Sequence, residues 1–184
     1  ARLVEWFGNA ARVLRPGGSF YIWGGYANVL NYPSALRGAG LYFSQAIIWV
    51  KEHPVLTRKD YMGNHEWAFY GWREGAGHKF YGPTNAVDVW AVKKVNPQSM
   101  VHLTEKPIEL AVRAIHYSSK PGENVLDLFG GSGSTDDAVA AVERRRGGPV
   151  QASAMLAGHW TARPSARASA SALGRAAANS AKSS

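Results

Sequence analysis

Residues 125–135 read VLDLFGGSGST: a short apolar run carrying one aspartate, then a phenylalanine, then a loop of glycine and serine. The nearly continuous apolar stretch from Val125 to Phe129 suits a parallel strand covered on both faces. Gly130-Gly131-Ser132-Gly133 suits a turn that a ligand approaches closely, because glycine has no β-carbon and tolerates positive φ. Such a strand and turn open a nucleotide-binding α/β sheet, yet here they lie near the end of a 184-residue chain. Two phosphate readings of the loop weaken. The lysine of GxxxxGK[ST] is missing, and Asp136 stands where a dinucleotide fingerprint needs a third glycine.

Just upstream, residues 101–110 read VHLTEKPIEL. Pro107 sits at the tolerated first position of a helix whose Ile108, Ala111, Val112 and Ile115 share one face. Nearer the amino terminus, Leu3, Phe7, Ala10 and Leu14 recur at helical spacing until Arg15-Pro16-Gly17-Gly18 breaks the pattern. Residues 19–24, SFYIWG, read as a strand and 28–38 as a short helix. Two further strands are expected at Phe43–Val50 and Glu66–Trp72, with a polar loop between them. Residues 73–101 have no clean period and form a long irregular insertion of the kind that carries function. After Arg146 the chain turns to Ala, Ser, Gly and Arg without a usable period, so 147–184 is expected to be a disordered, low-complexity tail.

The 46% hydrophobic content is enough for one core. The formal charge of +8 suits a partner carrying phosphates. With no cysteine there are no disulfides and no thiolate metal sites. His53 and His65-Glu66 make a weak metal pattern, and no metal is expected. No stretch approaches the length of a membrane span, and the cytoplasm is the default location. Helical spacing starts almost at residue 1, so the chain is expected to be cut from something longer.

HxTEKP followed by a helix, then DLFGGSGST on the next strand, resembles the DNA amino-methyltransferases that use S-adenosylmethionine. LRPGGSFYIWG, AIIWVKEHP and NHEWAFYGW are similar to other segments of that family, and the resemblance covers about residues 1–137. It implies an α/β, Rossmann-like methyltransferase sheet, circularly permuted and incomplete. In the permuted β class the catalytic half comes first, so VLDLFGGSGST is the first strand of the fold displaced to the end of the chain. The expected organisation is a partial methyltransferase domain over 1–146 with 73–101 facing DNA.

The resemblance also implies residue roles. Asp127 accepts from the ammonium of the cofactor's methionine moiety, and Phe129, Gly131, Ser132 and Gly133 wall the cofactor. His102, Thr104, Lys106 and Pro107 form the other cofactor segment. A core-paired Asp127 and a solvated Lys106 are the plain alternatives. Lys51, Arg58, Lys59, Arg73 and Lys79, with Lys93 and Lys94, are candidate contacts to double-stranded DNA, each weighed against a solvated rim.

The chain departs from the family pattern in two places. It has no Pro-Pro pair, so the Asp/Asn/Ser-Pro-Pro-aromatic catalytic loop is missing, and no strand ending in a ribose-binding acid is legible after the glycine loop. The expected function is that of an inactive fragment of a site-specific DNA methyltransferase, with adenine N6 favoured over cytosine N4. Without cysteine, attack on carbon 5 of cytosine is excluded. A non-catalytic nucleic-acid-binding module and a different cofactor-dependent α/β enzyme are the rival readings.

Overall fold

The computed structural model describes residues 2–24, 29–56, 58–96, 106–128, 134–146 and 154–157. Alternating side chains on the strands divide the molecule into a sheet with helices on both faces. Along β1 (Ser19–Gly24), Phe20 and Ile22 point to one face and Tyr21 and Trp23 to the other, as the two-residue period of a strand requires. The first face packs on α1 (Arg2–Val13) and α2 (Tyr32–Gly38) through Phe7, Ala10, Ala11, Leu14, Ala35 and Leu36. The second packs on α3 (Ile108–Ser118) and α4 (Ser134–Arg146) through Leu110, Ala111, Ala114, Ile115, Ala138 and Val142. Each fully buried Trp23, Trp49, Phe20 and Phe69 side chain contributes on the order of 1.5–3 kcal/mol through apolar area removed from water.

β2 (Leu41–Val55), β3 (Gly63–Arg73), β4 (Val89–Ala91), β5 (Leu126–Asp127) and β6 (Ala154–Ala157) complete a sheet ordered β4-β2-β3-β1-β6-β5. β3 runs antiparallel to both of its neighbours, and the remaining pairs are parallel. β2 and β3 form a hairpin longer than expected: the segment expected as a polar loop is strand through Val55 and again from Gly63. The extension is mostly exposed, so no buried alternation marked it in the sequence. Gly71 is needed where β3 passes a register shift in β2, since a β-carbon there would lie 1.8 Å from the Tyr42 carbonyl oxygen.

Three expectations change. The irregular insertion contains β4, three residues paired to β2. It is tied down by stacking of His78 on Trp72 at 3.7 Å and by the Tyr81 amide, which donates to the Tyr117 carbonyl at 2.7 Å. β5 has only two residues, both half-buried, because it is the edge strand of the sheet, so the described part of the expected strand, Val125–Leu128, is not enclosed on both faces. Finally, the disorder expected from residue 147 does not hold for 154–157. Their backbone pairs in parallel with β1 on one side and β5 on the other, an order supplied by ladder hydrogen bonds and invisible to periodicity.

Candidate functional site

The chain enters α3 through Lys106 and the buried Pro107, whose φ of −56° is that of proline's fixed ring, and the Leu110 amide closes the first turn on the Pro107 carbonyl at 3.1 Å. This brings Lys106 onto the sheet face covered by α3, at the carboxyl end of β1. Its Nζ lies 3.0 Å from Glu66 Oε2 and 5.9 Å from the centre of the Trp23 ring. The other Glu66 oxygen is 2.7 Å from Lys51 Nζ, which sits 5.2 Å from the Trp49 ring centre.

Strand register explains the meeting. Glu66 is opposite Trp49, so Lys51, two residues along β2, is its diagonal neighbour on the same face. Trp23 is opposite Ala68, again two residues along, and the Trp23 and Trp49 rings meet edge to face at 6.2 Å. The three charged side chains are between 10% and 24% exposed. Burial alone would raise the Glu66 carboxyl, but Lys106 and Lys51 outweigh it and hold it below the usual carboxylate range.

Asp127 closes β5, two strands from β1 and offset from Trp23 by two residues in register. Ladder spacing and strand rise put the two Cα atoms roughly 12 Å apart at the same end of the sheet. Thr135, buried in the first turn of α4, donates from Oγ1 to Asp127 Oδ2 at 2.7 Å and so spans the glycine loop from strand to helix. Parallel α/β sheets bind ligands outside the carboxyl ends of their strands; Lys106 lies beside Trp23 near that end of β1, and Asp127 is the last residue of β5. His102, Thr104, Phe129, Gly131, Ser132 and Gly133 lie outside the described residues.

The seven basic candidates do not form one surface. Arg58 and Lys59 are exposed at the tip of the β2–β3 hairpin, beyond the carboxyl end of β1, with the exposed Leu56, Tyr61 and Met62 beside them. Lys51 is committed to Glu66. Arg73 lies seven residues beyond Glu66 on β3, roughly 23 Å away at strand rise, and its Nη1 donates to the Leu14 carbonyl. Lys79 shares that opposite end, lining a cleft of about 280 Å³ with Arg15, Lys120 and Glu123. Lys93 is exposed and 3.5 Å from Glu52, and Lys94 is half-buried. Among the described residues, no group of three His, Asp or Glu is placed to hold a metal ion, and no helix is long and apolar enough to cross a membrane.

Residues 1–157 match the N6/N4 family described as DNA methylase. The chain belongs to that family. It is 30% identical over 156 residues to the type II methyltransferase M2.DpnII of Streptococcus pneumoniae, covering 77% of this chain and 58% of the relative. The chain thus spans little more than half the length of that relative. Among solved structures, M1.HpyAVI in complex with SAM superposes with a TM-score of 0.67 at 24% identity, covering 85% of this chain and 76% of the other. The cytosine-N4-specific PvuII DNA methyltransferase superposes with a TM-score of 0.61 at 17% identity, covering 85% and 66%. These similarities establish the Rossmann-like methyltransferase fold.

Glu66 is the site residue that sequence reasoning missed. It was legible only as part of a strand or as a weak metal ligand beside His65, and Lys51 as a DNA contact. The hairpin register that makes them diagonal neighbours was the missing information.

Proposed function

We propose that this chain is the cofactor-holding part of a methyltransferase that moves a methyl group from S-adenosylmethionine to an exocyclic amine of a base in double-stranded DNA, adenine N6 before cytosine N4. The observation that carries the reading is the placement of Lys106-Pro107 beside Trp23 near the carboxyl end of β1, with Asp127, bonded by Thr135, at the carboxyl end of the parallel strand β5. The residues present fit that cofactor. A half-buried carboxylate bonded to a hydroxyl suits an ammonium group, and the sequence between β5 and α4 includes Gly130-Gly131-Ser132-Gly133, residue types that put little side chain in a ligand's way. Asp127 would hold the amino end, with Phe129 and Gly131-Ser132-Gly133 walling the cofactor and His102, Thr104, Lys106 and Pro107 as the other cofactor segment. When bound, the cofactor supplies an electrophilic methyl group.

Aiming the base amine at that methyl requires acceptors and a stacking ring, which the family carries on its Pro-Pro loop. The chain contains no such pair, so we assign it no methyl transfer when isolated. Arg58 and Lys59 at the hairpin tip are the phosphate contacts best placed to hold DNA at the same end of the sheet. Equilibrium dialysis of the full chain with S-adenosylhomocysteine tests the cofactor reading: binding that Asp127→Asn weakens supports it. DNA binding without any cofactor binding would favour a non-catalytic nucleic-acid module instead. A tritiated-methyl assay on mixed-sequence DNA tests the inactivity, which counts above a heat-killed control would overturn.

A further inference from the structure

We infer that Glu66 is a positioning residue of the cofactor site, a two-pronged carboxylate that clamps Lys106, and with it the entry to α3, onto the β2–β3 pair. The inference rests on the cofactor reading above and adds a residue from a different strand, β3.

The geometry separates this clamp from a surface ion pair. Each Glu66 oxygen serves a different ammonium group, at 2.7 and 3.0 Å, and all three side chains are largely withdrawn from water. Surface pairs trade long side chains in and out of solvent and hold nothing in place. Here both ammonium groups also lie over indole rings, Lys51 over Trp49 and Lys106 over Trp23, and both tryptophans are themselves fully buried. Lys106 is followed at once by the buried Pro107, whose fixed φ allows little backbone adjustment, so a shift of the ammonium is passed to the chain entering α3. The net charge of the cluster is one positive. Without Glu66 two ammonium groups would lie largely withdrawn from water with no counter-charge between them, and Lys106, which unlike Lys51 is not held in a strand ladder, would turn its side chain out to water.

Lys51 has a different part. It satisfies the second oxygen and is anchored within the hairpin, so its loss leaves the Glu66–Lys106 pair standing. This difference between the two lysines makes the clamp testable apart from simple stabilisation.

The test uses the full chain with Glu66→Gln, Lys106→Met, Lys51→Met and the Glu66→Gln/Lys106→Met double variant. Affinity for S-adenosylhomocysteine is measured by dialysis well below each melting temperature, alongside amide hydrogen exchange without ligand. Glu66→Gln and Lys106→Met are each expected to weaken binding by about tenfold, the double variant no more than either alone, and Lys51→Met by less than about threefold. Faster exchange at residues 108–111 in Glu66→Gln but not in Lys51→Met is expected in the same samples. Unchanged exchange there overturns the clamp whether or not ligand binds. Multiplicative losses in the double variant, or affinity within about twofold of the parent in Glu66→Gln, reduce Glu66 to a stabilising role. If Glu66→Gln shows the exchange effect but the parent chain binds no S-adenosylhomocysteine, the clamp is structural and the cofactor reading is what fails.

Discussion

Thr135 donates a 2.7 Å hydrogen bond to Asp127, joining the first turn of α4 to the last residue of β5 across the glycine loop. The bond ties a carboxylate at the end of an edge strand of only two paired residues to the helix that follows. Thr135→Val keeps the shape and deletes the donor. It is expected to lower stability by about 1.5–3 kcal/mol, the range for a bond to a charged group. Thr135→Ser, which restores a hydroxyl, is expected to recover most of that. Urea unfolding of the three proteins measures it, and equal midpoints for Val and parent would show that the bond is not made in solution.

The Glu66 clamp has a pH consequence with a definite sign. Its carboxyl is held below the ordinary value of 4.5 in the folded state, so the stabilisation is fully present above that value and is lost as pH falls through the folded pKa. The parent is therefore expected to lose melting temperature below about pH 4.5, with Glu66→Gln starting lower at neutral pH and falling less steeply in acid. Parallel acid limbs for the two proteins would show that Glu66 titrates normally.

Strand β6 lies between β1 and β5, so removing it uncovers two sheet edges at once. A chain ending at Arg146 is expected to melt roughly 5 °C or more below one ending at Ala157. Calorimetry of the two truncations decides this, and identical transitions would take 154–157 out of the sheet.

The hairpin tip and the Glu66 clamp predict different effects for lysines and arginines that are close in sequence. Arg58→Ala/Lys59→Ala is expected to reduce the slope of log affinity for DNA against log salt by about 2, one counterion for each phosphate that the variant no longer neutralises. Lys51→Ala is expected to leave the slope unchanged and lower the melting temperature, because its charge is spent on Glu66. A Lys51→Ala slope as shallow as that of the double variant would return Lys51 to the DNA surface.

Much of the molecule was legible from local pattern alone. α1 and α3 declared themselves through period, β1 through its aromatic and β-branched run, and the turn at Pro16-Gly17-Gly18 through residues that cannot continue a helix; Gly17 adopts φ +75° there. VLDLFGGSGST and HxTEKP were enough to indicate the family, because both are runs of residues adjacent in the chain. What local pattern could not reach was pairing. β4 has three residues and β6 four, too few to show a period, and both exist because a neighbouring strand supplies the hydrogen-bond ladder. Likewise Lys51, Glu66 and Lys106 read as separate surface charges until strand register and the entry to α3 brought each ammonium nitrogen within 3.0 Å of a Glu66 oxygen. Electrostatic partners are chosen by distance in space, and in this chain only the folded sheet determines that distance.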